Sequence, residues 1–337
     1  MTSLKSWPCA ARPRAELADR TTMHVGGAVE WLLEPASPQE LAAAIAAARA
    51  EGYVPRILGG GANLIVDDGV LPGVVITTDR MSRLFRPSDH VTADDALQHG
   101  NDELSARLIP LPREVGLRFV AWAGVTLPKL VRSAAQMGWK GVECLAGVPG
   151  NVGGGVAMNA GGRYGEMWDV VERLLVVDRD GRLVELAREQ FQPTYRDAHL
   201  RELVVASAVL RFQLDTPADV QARGRQYLLE KNAVQPVTEW SAGCVFKNPP
   251  KEKSDGLSAG QLVERAGGKG RVRGDAIVSP RHGNFIVNRG RASATDVLAL
   301  IDDVHALVLE KSGIDLEREV KVIRRQSLTS LEGEVVK

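Results

Sequence analysis

Apolar and polar positions along the chain change period several times, from the alternation typical of strands to the three- or four-residue spacing typical of helices. Short apolar runs bounded by glycine, proline or polar residues predict strands. They lie at 54–58, 64–66, 74–77, 117–123, 174–178, 183–186, 203–212, 276–278, 285–287 and 314–323. Two of these runs flank Asp180 and Gly181, a dipeptide that predicts a hairpin.

Helices are predicted where a capping residue stands before apolar positions three or four apart. Ser37 is followed by Pro38 and Glu40, a capping box with proline at the first helical position, and the alanine-rich segment behind it ends near Gly52. The same reasoning predicts helix starts at Thr126, Ser258 and Ser293, a helix around 220–231, and a helix stop at Gly313. This mixture of helices and strands predicts an α+β protein.

The length of 337 residues predicts two or three domains. Residues 1–80 and 81–215 form two successive parts, and a polar, proline-bearing stretch at 86–114 interrupts the second as a surface insertion. A further change of pattern predicts a C-terminal domain at 219–325 and a polar tail at 326–337.

Lys plus Arg and Asp plus Glu both number 42, so the formal net charge is zero. A balanced charge gives no electrostatic reason to expect nucleic acid or an anionic membrane surface as a partner. No apolar run is long enough to span a bilayer, and residues 1–20 lack the apolar core of a secretory signal. We expect no membrane insertion and see no sign of an obligate protein partner.

The three cysteines are Cys9, Cys144 and Cys244. Their number is odd, they are far apart, and no C-x-x-C occurs, so the sequence predicts neither a disulfide framework nor a zinc or other metal site. Unpaired thiols suit a reducing compartment. We therefore expect a cytoplasmic protein.

Two glycine-rich segments beside predicted strands, 59–63 and 147–155, have the composition of anion-binding loops. Glycines let the backbone turn sharply and present N–H groups to an anion. Neither segment matches the G-x-G-x-x-G fingerprint or the G-x-x-x-x-G-K-[ST] loop, and each alone could be a tight turn without a ligand. Two such segments in one predicted domain, the second followed by Asn159 and Gly161, favour a dinucleotide held without a Rossmann fold.

Seven motifs occur in a fixed order, at 22–27, 58–64, 147–154, 195–197, 241–249, 282–288 and 316–320. They read TMHVGG, LGGGANL, GVPGNVGG, YRD, SAGCVFKNP, HGNFIVN and LEREV. In this order they resemble the motifs of the UDP-N-acetylenolpyruvoylglucosamine reductases, over about 21–323. The stretch 227–239 is short, as in the compact form of that family, which lacks a tyrosine-bearing loop over the nucleotide. We therefore assign no role to Tyr227.

The resemblance implies a fold and two cofactors. A vanillyl-alcohol-oxidase-like (PCMH-type) FAD-binding domain of two α+β subdomains would precede a C-terminal α+β substrate-binding domain. NADPH would reduce the flavin, and the flavin would reduce UDP-N-acetylglucosamine enolpyruvate to UDP-N-acetylmuramate for peptidoglycan synthesis. FAD would be bound non-covalently by Gly59, Gly60, Gly61, Ala62, Asn63, Leu64, Gly124, Gly147, Val148, Pro149, Gly150, Gly153, Gly154, Asn159 and Gly161.

Two charged residues match catalytic positions of the family. Arg196 corresponds to the arginine that stabilises the enolate-like intermediate, because a guanidinium stays charged and grips a carboxylate with two hydrogen bonds. Spacing alone favours a surface arginine in a basic loop. Glu319 corresponds to the carboxylate that polarises the substrate or assists protonation, and Glu317 is the competing candidate. Glu319 is predicted to lie in the last strand, on the face opposite Val320.

Cys244 stands where the family's proton donor is commonly serine. A thiol, with an ordinary pKa of about 8.5, is a much stronger acid than an aliphatic hydroxyl and can deliver the proton. Ser241 is the alternative donor, and Cys244 could also merely pack.

Asn248 and Lys231 match positions that contact the UDP-sugar, and Lys231 would suit its diphosphate. His282 falls near the expected contact between flavin and substrate but could equally be a structural histidine. Cys144 stands where the family usually has a polar amide, and the sequence gives no reason for it.

Two other functions remain open at this point. One is an FAD-dependent oxidase or dehydrogenase of the same flavin-binding type, acting on another substrate. That reading does not predict the SAGCVFKN segment. The other is a non-catalytic protein that binds a UDP-sugar or flavin, against which Arg196 and Glu319 argue.

Overall fold

The computed structural model describes residues 6–86 and 117–325. Apart from Arg86, the predicted insertion at 86–114 lies outside these residues, and so does the tail at 326–337. None of the helices in the described ranges is long and apolar enough to cross a membrane.

The chain forms two compact units. The first unit comprises Met1–Ala11, Leu33–Gly60 and Val75–Val237. The second unit comprises Arg12–Leu32, Gly61–Val74 and Thr238–Lys337. The boundary therefore passes through the first glycine segment, after Gly60.

The strands in chain order are β1 Ala10–Glu16, β2 Ala28–Glu34, β3 Arg56–Leu58, β4 Leu64–Val66, β5 Val70–Thr77, β6 Leu84–Phe85, β7 Arg118–Trp122, β8 Trp139–Lys140, β9 Gly161–Gly162, β10 Gly165–Glu166, β11 Val171–Val177, β12 Leu183–Ala187, β13 Val204–Arg211, β14 Gln213–Leu214, β15 Ser241–Cys244, β16 Val272–Arg273, β17 Ala276–Val278, β18 Phe285–Asn288 and β19 Lys321–Ile323. The α-helices are α1 Pro38–Ala50, α2 Leu127–Met137, α3 Val152–Ala157, α4 Pro217–Val234, α5 Ala259–Arg265 and α6 Ala294–Ser312. Short 3-10 turns lie at Ala18–Arg20, Glu143–Leu145, Met167–Asp169 and Arg188–Gln190.

Local capping explains where most helices begin. The predicted starts at Ser37, Thr126, Ser258 and Ser293 are confirmed, because each side chain accepts a hydrogen bond from the backbone N–H three residues further on. The predicted stop at Gly313 is also confirmed, since this residue takes the left-handed conformation with φ +70°.

Helix α4 begins earlier than predicted. Thr216 caps it by accepting from the N–H of Asp219, and Pro217 takes the first helical position. The helix packs against α2 and the Glu143–Leu145 turn within the first unit. The division into three parts, with a C-terminal domain from 219, stays a prediction.

The first unit contains a five-stranded antiparallel sheet in the order β12-β11-β13-β7-β6. The predicted hairpin at Asp180 and Gly181 is confirmed, since β11 pairs with β12 across it. Helix α3, which begins within the second glycine segment, packs on β13. β3 pairs in parallel with Val75, Ile76 and Thr77 of β5. Within the first unit, the ends of these elements bring Gly59 and Gly60 close to the second glycine segment.

The second unit contains a four-stranded antiparallel sheet in the order β15-β18-β17-β16. Helix α6 packs against this sheet and against α5, with Val297, Leu300, Ile301 and Val304 buried in the core. Apart from these strands, β19 pairs in parallel with β4. β4 follows the end of the first glycine segment, so the last strand of the chain holds that segment in place.

The predicted strand at 314–323 is wrong for most of its length. Only Lys321–Ile323 is a strand. The preceding residues bond instead to the segment after β15, with Lys247 N–H donating to the Glu317 carbonyl and Glu319 N–H to the Val245 carbonyl, both at 2.8 Å. Glu319 therefore does not alternate with Val320 on a regular strand.

Candidate functional site

The two glycine segments approach each other closely in the first unit. A Cβ placed on Gly60 would lie 2.7 Å from the Cα of Gly150 and 2.9 Å from Oδ1 of Asn151, too close for any side chain. A Cβ on Gly59 would lie 3.9 Å from the backbone nitrogen of Gly154. The sequence therefore uses glycine here because two backbones must lie side by side.

Gly154 differs from the other glycines of this cluster. Among residues 6–86 and 117–325, a Cβ placed on it would meet no atom within 4 Å, so open space adjoins the backbone at that point. It lies in the first turn of α3. A backbone N–H beside open space, where two glycine segments come close, is typical of a phosphate-binding loop, and binding of the FAD diphosphate here stays a prediction.

Two further predicted flavin contacts have a packing reason to be glycine. A Cβ on Gly124 would lie 1.9 Å from the Thr78 carbonyl oxygen. A Cβ on Gly153 would lie 2.9 Å from that of Ala123. Both positions need glycine because another segment of the same chain passes close by. A direct contact with flavin stays a prediction for each.

The rest of the first glycine segment lies in the second unit. Gly61 has φ +62°, and a Cβ there would lie 2.1 Å from the Arg20 carbonyl oxygen. Asn63 is bonded twice to the end of the chain, its Nδ2 donating to the Glu319 carbonyl at 3.2 Å and its carbonyl accepting from Lys321 N–H at 3.0 Å. This end of the glycine segment therefore lies against Glu319, with Ala62 and Leu64 on either side of Asn63.

Thr22 ties the same segment to strand β15. Its hydroxyl donates to the Ser241 carbonyl at 2.7 Å, and its N–H donates to the Gly61 carbonyl at 3.2 Å. Sequence reasoning quoted Thr22 only as the first residue of a motif. Its side-chain partner is 219 positions away, so no local pattern could reveal the contact.

Strand β15 carries a β-bulge next to Cys244. Ser241 pairs with Val287 and Cys244 with Phe285, so three steps on one strand oppose two on the other. Gly243 accommodates the extra residue with φ +77°. Because Phe285 and Val287 lie on one face of β18, the bulge puts Ser241 and Cys244 on the same face of the sheet. Cys244 is partly exposed, whereas Ser241 is 8% exposed.

Glu319 and Glu317 have different surroundings. Glu317 is 65% exposed at its side chain and pairs with Lys247 across 2.7 Å. Glu319 is only 8% exposed as a residue, and its N–H bonds to the carbonyl of Val245, the residue after Cys244. The geometry thus favours Glu319 over Glu317 as the carboxylate that acts together with Cys244.

We expect Glu319→Gln to reduce turnover by about a hundredfold, within the range for losing a positioned proton-transfer group. Glu317→Gln is the matched control, because an exposed ion pair contributes little, and its turnover should stay within about twofold of wild type. Steady-state rates of both variants, with flavin content measured alongside, provide the check. Equal losses in the two variants would contradict the assignment.

Arg196 lies in a tight turn of the first unit. Thr194 and Asp197 exchange backbone hydrogen bonds of 2.7 and 3.2 Å across it. Arg196 takes φ +61°, a left-handed conformation that costs about 1–2 kcal/mol in a residue with a side chain. Its Nη1 donates to the Gly161 carbonyl at 2.9 Å. The turn holds this half-buried guanidinium in a fixed direction.

Asn159 bonds to the turn that contains Arg196. Its Nδ2 donates to the Thr194 carbonyl at 3.1 Å, and its Oδ1 accepts from Trp168 N–H at 3.3 Å. The residue is 1% exposed. This gives Asn159 a role in positioning the Arg196 turn, and its predicted contact with FAD stays a prediction.

Lys231 lies at the second glycine segment. Its Nζ donates to the carbonyls of Ala146 at 2.8 Å and Cys144 at 3.3 Å. Burial lowers the pKa of its ammonium group, because desolvation disfavours the charged form, and neighbouring Arg196 lowers it further. Through its hydrogen bond to Ala146, Lys231 fixes the residue before Gly147. Its binding of a substrate diphosphate stays a prediction.

Cys144 has a structural explanation that the sequence did not give. It is 4% exposed within the core of the first unit. Burial, with Glu143 and Asp169 nearby, raises the pKa of its thiol to about 12. Cys144 is therefore a small core residue that stays protonated.

Asn248 and His282 lie in the second unit. Oδ1 of Asn248 accepts from Ala259 N–H at 3.0 Å, at the start of α5. His282 accepts from Asn284 N–H at 3.2 Å through Nδ1, and burial lowers the pKa of its imidazole. It packs edge-on against Phe285, with ring centres 5.0 Å apart. This favours a structural role for His282, and substrate contacts of both residues stay predictions.

Two family models match the chain. One is described as the C-terminal domain of UDP-N-acetylenolpyruvoylglucosamine reductase and matches residues 235–323. The other is described as an FAD binding domain and matches residues 106–187.

Relatives cover nearly all of the chain. A UDP-N-acetylenolpyruvoylglucosamine reductase from Acaryochloris marina is 35% identical over 319 residues, 94% of this chain and 93% of that protein. One from Heliobacterium modesticaldum is 38% identical over 312 residues, 91% and 88% of the two chains. The crystal structure of the Thermus caldophilus enzyme matches with a TM-score of 0.71 and 34% identity, covering 93% of this chain and 99% of that one.

This chain belongs to the UDP-N-acetylenolpyruvoylglucosamine reductase family. The resemblance inferred from seven motifs is confirmed, and so is the predicted fold class, a vanillyl-alcohol-oxidase-like α+β flavoprotein. The match to the FAD binding domain includes the second glycine segment. The sequence did not single out Thr22, which bonds to the Ser241 carbonyl, or Asn284, which bonds to both backbone groups of Phe246.

Proposed function

We propose that this protein catalyses the NADPH-dependent, FAD-mediated reduction of UDP-N-acetylglucosamine enolpyruvate to UDP-N-acetylmuramate, a step in making peptidoglycan precursors. The observation that carries the proposal is the arrangement in the second unit. There, hydrogen bonds to backbone groups join the bulged Cys244 strand, the buried Glu319 and the Asn63 end of the first glycine segment.

When bound, FAD would supply the hydride for the terminal carbon of the enolpyruvyl group, with NADPH as the source of that hydride. Negative charge then develops on the substrate's neighbouring carbon and carboxylate, and a proton must be delivered to that carbon. Arg196 neutralises the carboxylate through paired hydrogen bonds. Cys244 donates the proton from its Sγ, and Glu319 polarises the substrate carboxylate or assists this protonation.

Binding is assigned to other residues. Gly59, Gly60 and Gly154 hold the diphosphate of FAD through backbone N–H groups. Lys231 and Asn248 orient the UDP-sugar. A cytoplasmic location is part of the proposal, and the three cysteines outside disulfides support it.

Arg196→Lys should keep reduction of the flavin by NADPH near the wild-type rate. It should slow reoxidation by the UDP-sugar about a hundredfold, because a point charge cannot reproduce the bidentate grip on a carboxylate. Rapid-mixing measurements of the two half-reactions separate these effects. Equal slowing of both would point to a general structural defect instead of loss of the carboxylate contact.

Purified protein is the first test of the whole proposal. Heat or acid should release FAD, and not FMN, without leaving flavin attached to the chain. NADPH should then be consumed only when UDP-N-acetylenolpyruvoylglucosamine is added, with one lactyl ether formed for each NADPH. Consumption that depends on oxygen alone would favour the oxidase alternative, and a protein that cannot be reconstituted with FAD would exclude both.

A further inference from the structure

Asn284 makes an unusually complete set of contacts beside the candidate proton donor. It is 3% exposed. Its Oδ1 accepts from Phe246 N–H at 2.8 Å, and its Nδ2 donates to the Phe246 carbonyl at 2.7 Å. Its own carbonyl accepts from Val245 N–H at 2.9 Å. One amide side chain thus satisfies both backbone groups of Phe246, as a neighbouring strand would.

This contact lies where β15 ends. The regular pairing of β15 with β18 is interrupted by the bulge and stops at Cys244 opposite Phe285. Beyond that point two contacts hold the segment in place. On one side the Asn284 side chain bonds to Phe246, and on the other side Glu319 N–H donates to the Val245 carbonyl. Val245 and Phe246 are both buried.

We propose that Asn284 is a positioning residue that fixes Cys244 at the reacting carbon through its paired hydrogen bonds to Phe246. The inference rests on the proposed function, because it assumes that Cys244 delivers the proton. Asn284 itself touches neither substrate nor cofactor in this account. Loss of its grip would let the segment after the bulge shift, and a shift of about 1 Å at a reacting group can cost about a hundredfold in rate.

Asn284→Asp is the most informative change. It preserves the shape of the side chain, and it makes the hydrogen bond to the Phe246 carbonyl depend on pH. A protonated aspartic acid can still accept from Phe246 N–H and donate to the Phe246 carbonyl. An ionised one places a second acceptor against that carbonyl and repels it. The buried site disfavours the ionised form, so the carboxyl should titrate above the ordinary pKa of aspartate.

We therefore expect Asn284→Asp to slow reoxidation of reduced flavin by the UDP-sugar by about ten- to a hundredfold at pH 8, with recovery as the pH falls. Reduction by NADPH should stay near wild type. His282, Glu319 and the Lys247–Glu317 pair lie near this segment in the wild type and in the variant, so rates are compared with wild type at each pH. Asn284→Ser, which cannot bridge both groups of Phe246, should be slow without the acid-side recovery.

The matched control is Ser279→Ala. Ser279 is fully buried, and its hydroxyl accepts from Arg281 N–H in the turn that leads to β18. Ser279→Ala should lower Tm without changing the ratio between the rates of flavin reduction and flavin reoxidation. A second readout needs no cofactor: alkylation of Cys244 in the apoprotein, followed by peptide mass spectrometry, should change rate in Asn284→Asp and not in Ser279→Ala.

Two results would overturn the inference. One is an Asn284→Asp protein whose half-reactions slow equally at all pH values. The other is unchanged Cys244 alkylation in both Asn284 variants. If the UDP-sugar does not reoxidise wild-type flavin at all, the proposed function fails instead, and the alkylation experiment still reports whether Asn284 positions Cys244.

Discussion

Cys244→Ala should lower turnover by about two to four orders of magnitude, the usual range for losing a positioned general acid. Reduction of the flavin by NADPH should remain near wild type, because the thiol acts only when the substrate is protonated. Cys244→Ser should recover much of the loss, since serine commonly occupies this position in the family and can relay a proton from water. Anaerobic stopped-flow measurement of both half-reactions provides the comparison.

The pH dependence gives this prediction a second signature. A thiol must be protonated to donate, so wild-type turnover should decline as pH rises through the pKa of Cys244. The serine variant should lack that decline, because its hydroxyl does not ionise in the same range. If Cys244→Ala turns over as fast as wild type, the donor lies elsewhere, and Ser241 on the same face of the sheet becomes the first candidate.

Gly154→Asp should abolish retention of FAD while leaving the fold intact. The new side chain would enter open space, so no steric clash is expected. Its carboxylate would lie in the space assigned to the cofactor diphosphate. Two like charges about 4 Å apart near a protein surface repel by about 4 kcal/mol, which corresponds to about a thousandfold in affinity. Titration of the apoprotein with FAD, followed by flavin fluorescence, measures this directly.

Gly154→Ala is the matched control, because it adds a methyl group at the same place without charge. It should retain FAD and keep the Tm of the apoprotein, since alanine is favoured over glycine within a helix. FAD affinity that is equal to wild type in both variants would place the diphosphate away from Gly154.

Features set by neighbouring residues were predictable from the sequence. The helix starts at Ser37 and Thr126 follow from side chains that bond within three residues, and the Asp180–Gly181 hairpin follows from its turn residues. The actual conformation of 314–323 was not predictable, because its apolar pattern is typical of a strand while its hydrogen-bond partners are distant in sequence. Residues 317–320 bond to the chain near Val245, and Lys321–Ile323 turns to β4.

The site residues also divide into those that the sequence could identify and those that only the folded structure identifies. Arg196, Cys244 and Glu319 were found because their motifs resemble those of a known family, and no spacing rule would have selected them. Asn284 was missed because its partner, Phe246, lies 38 positions away. The bonds of the Asn159 amide to Thr194 and Trp168 were not predictable either, because only the folded chain brings these residues together.

One measurement tests the central claim most directly. The protein is reduced with one equivalent of NADPH in the absence of oxygen and then mixed with UDP-N-acetylenolpyruvoylglucosamine, while the visible absorbance of the flavin is followed. The account predicts that the yellow colour of oxidised FAD returns within a turnover and that UDP-N-acetylmuramate is formed in equal amount. A flavin that stays reduced until oxygen is admitted would contradict it.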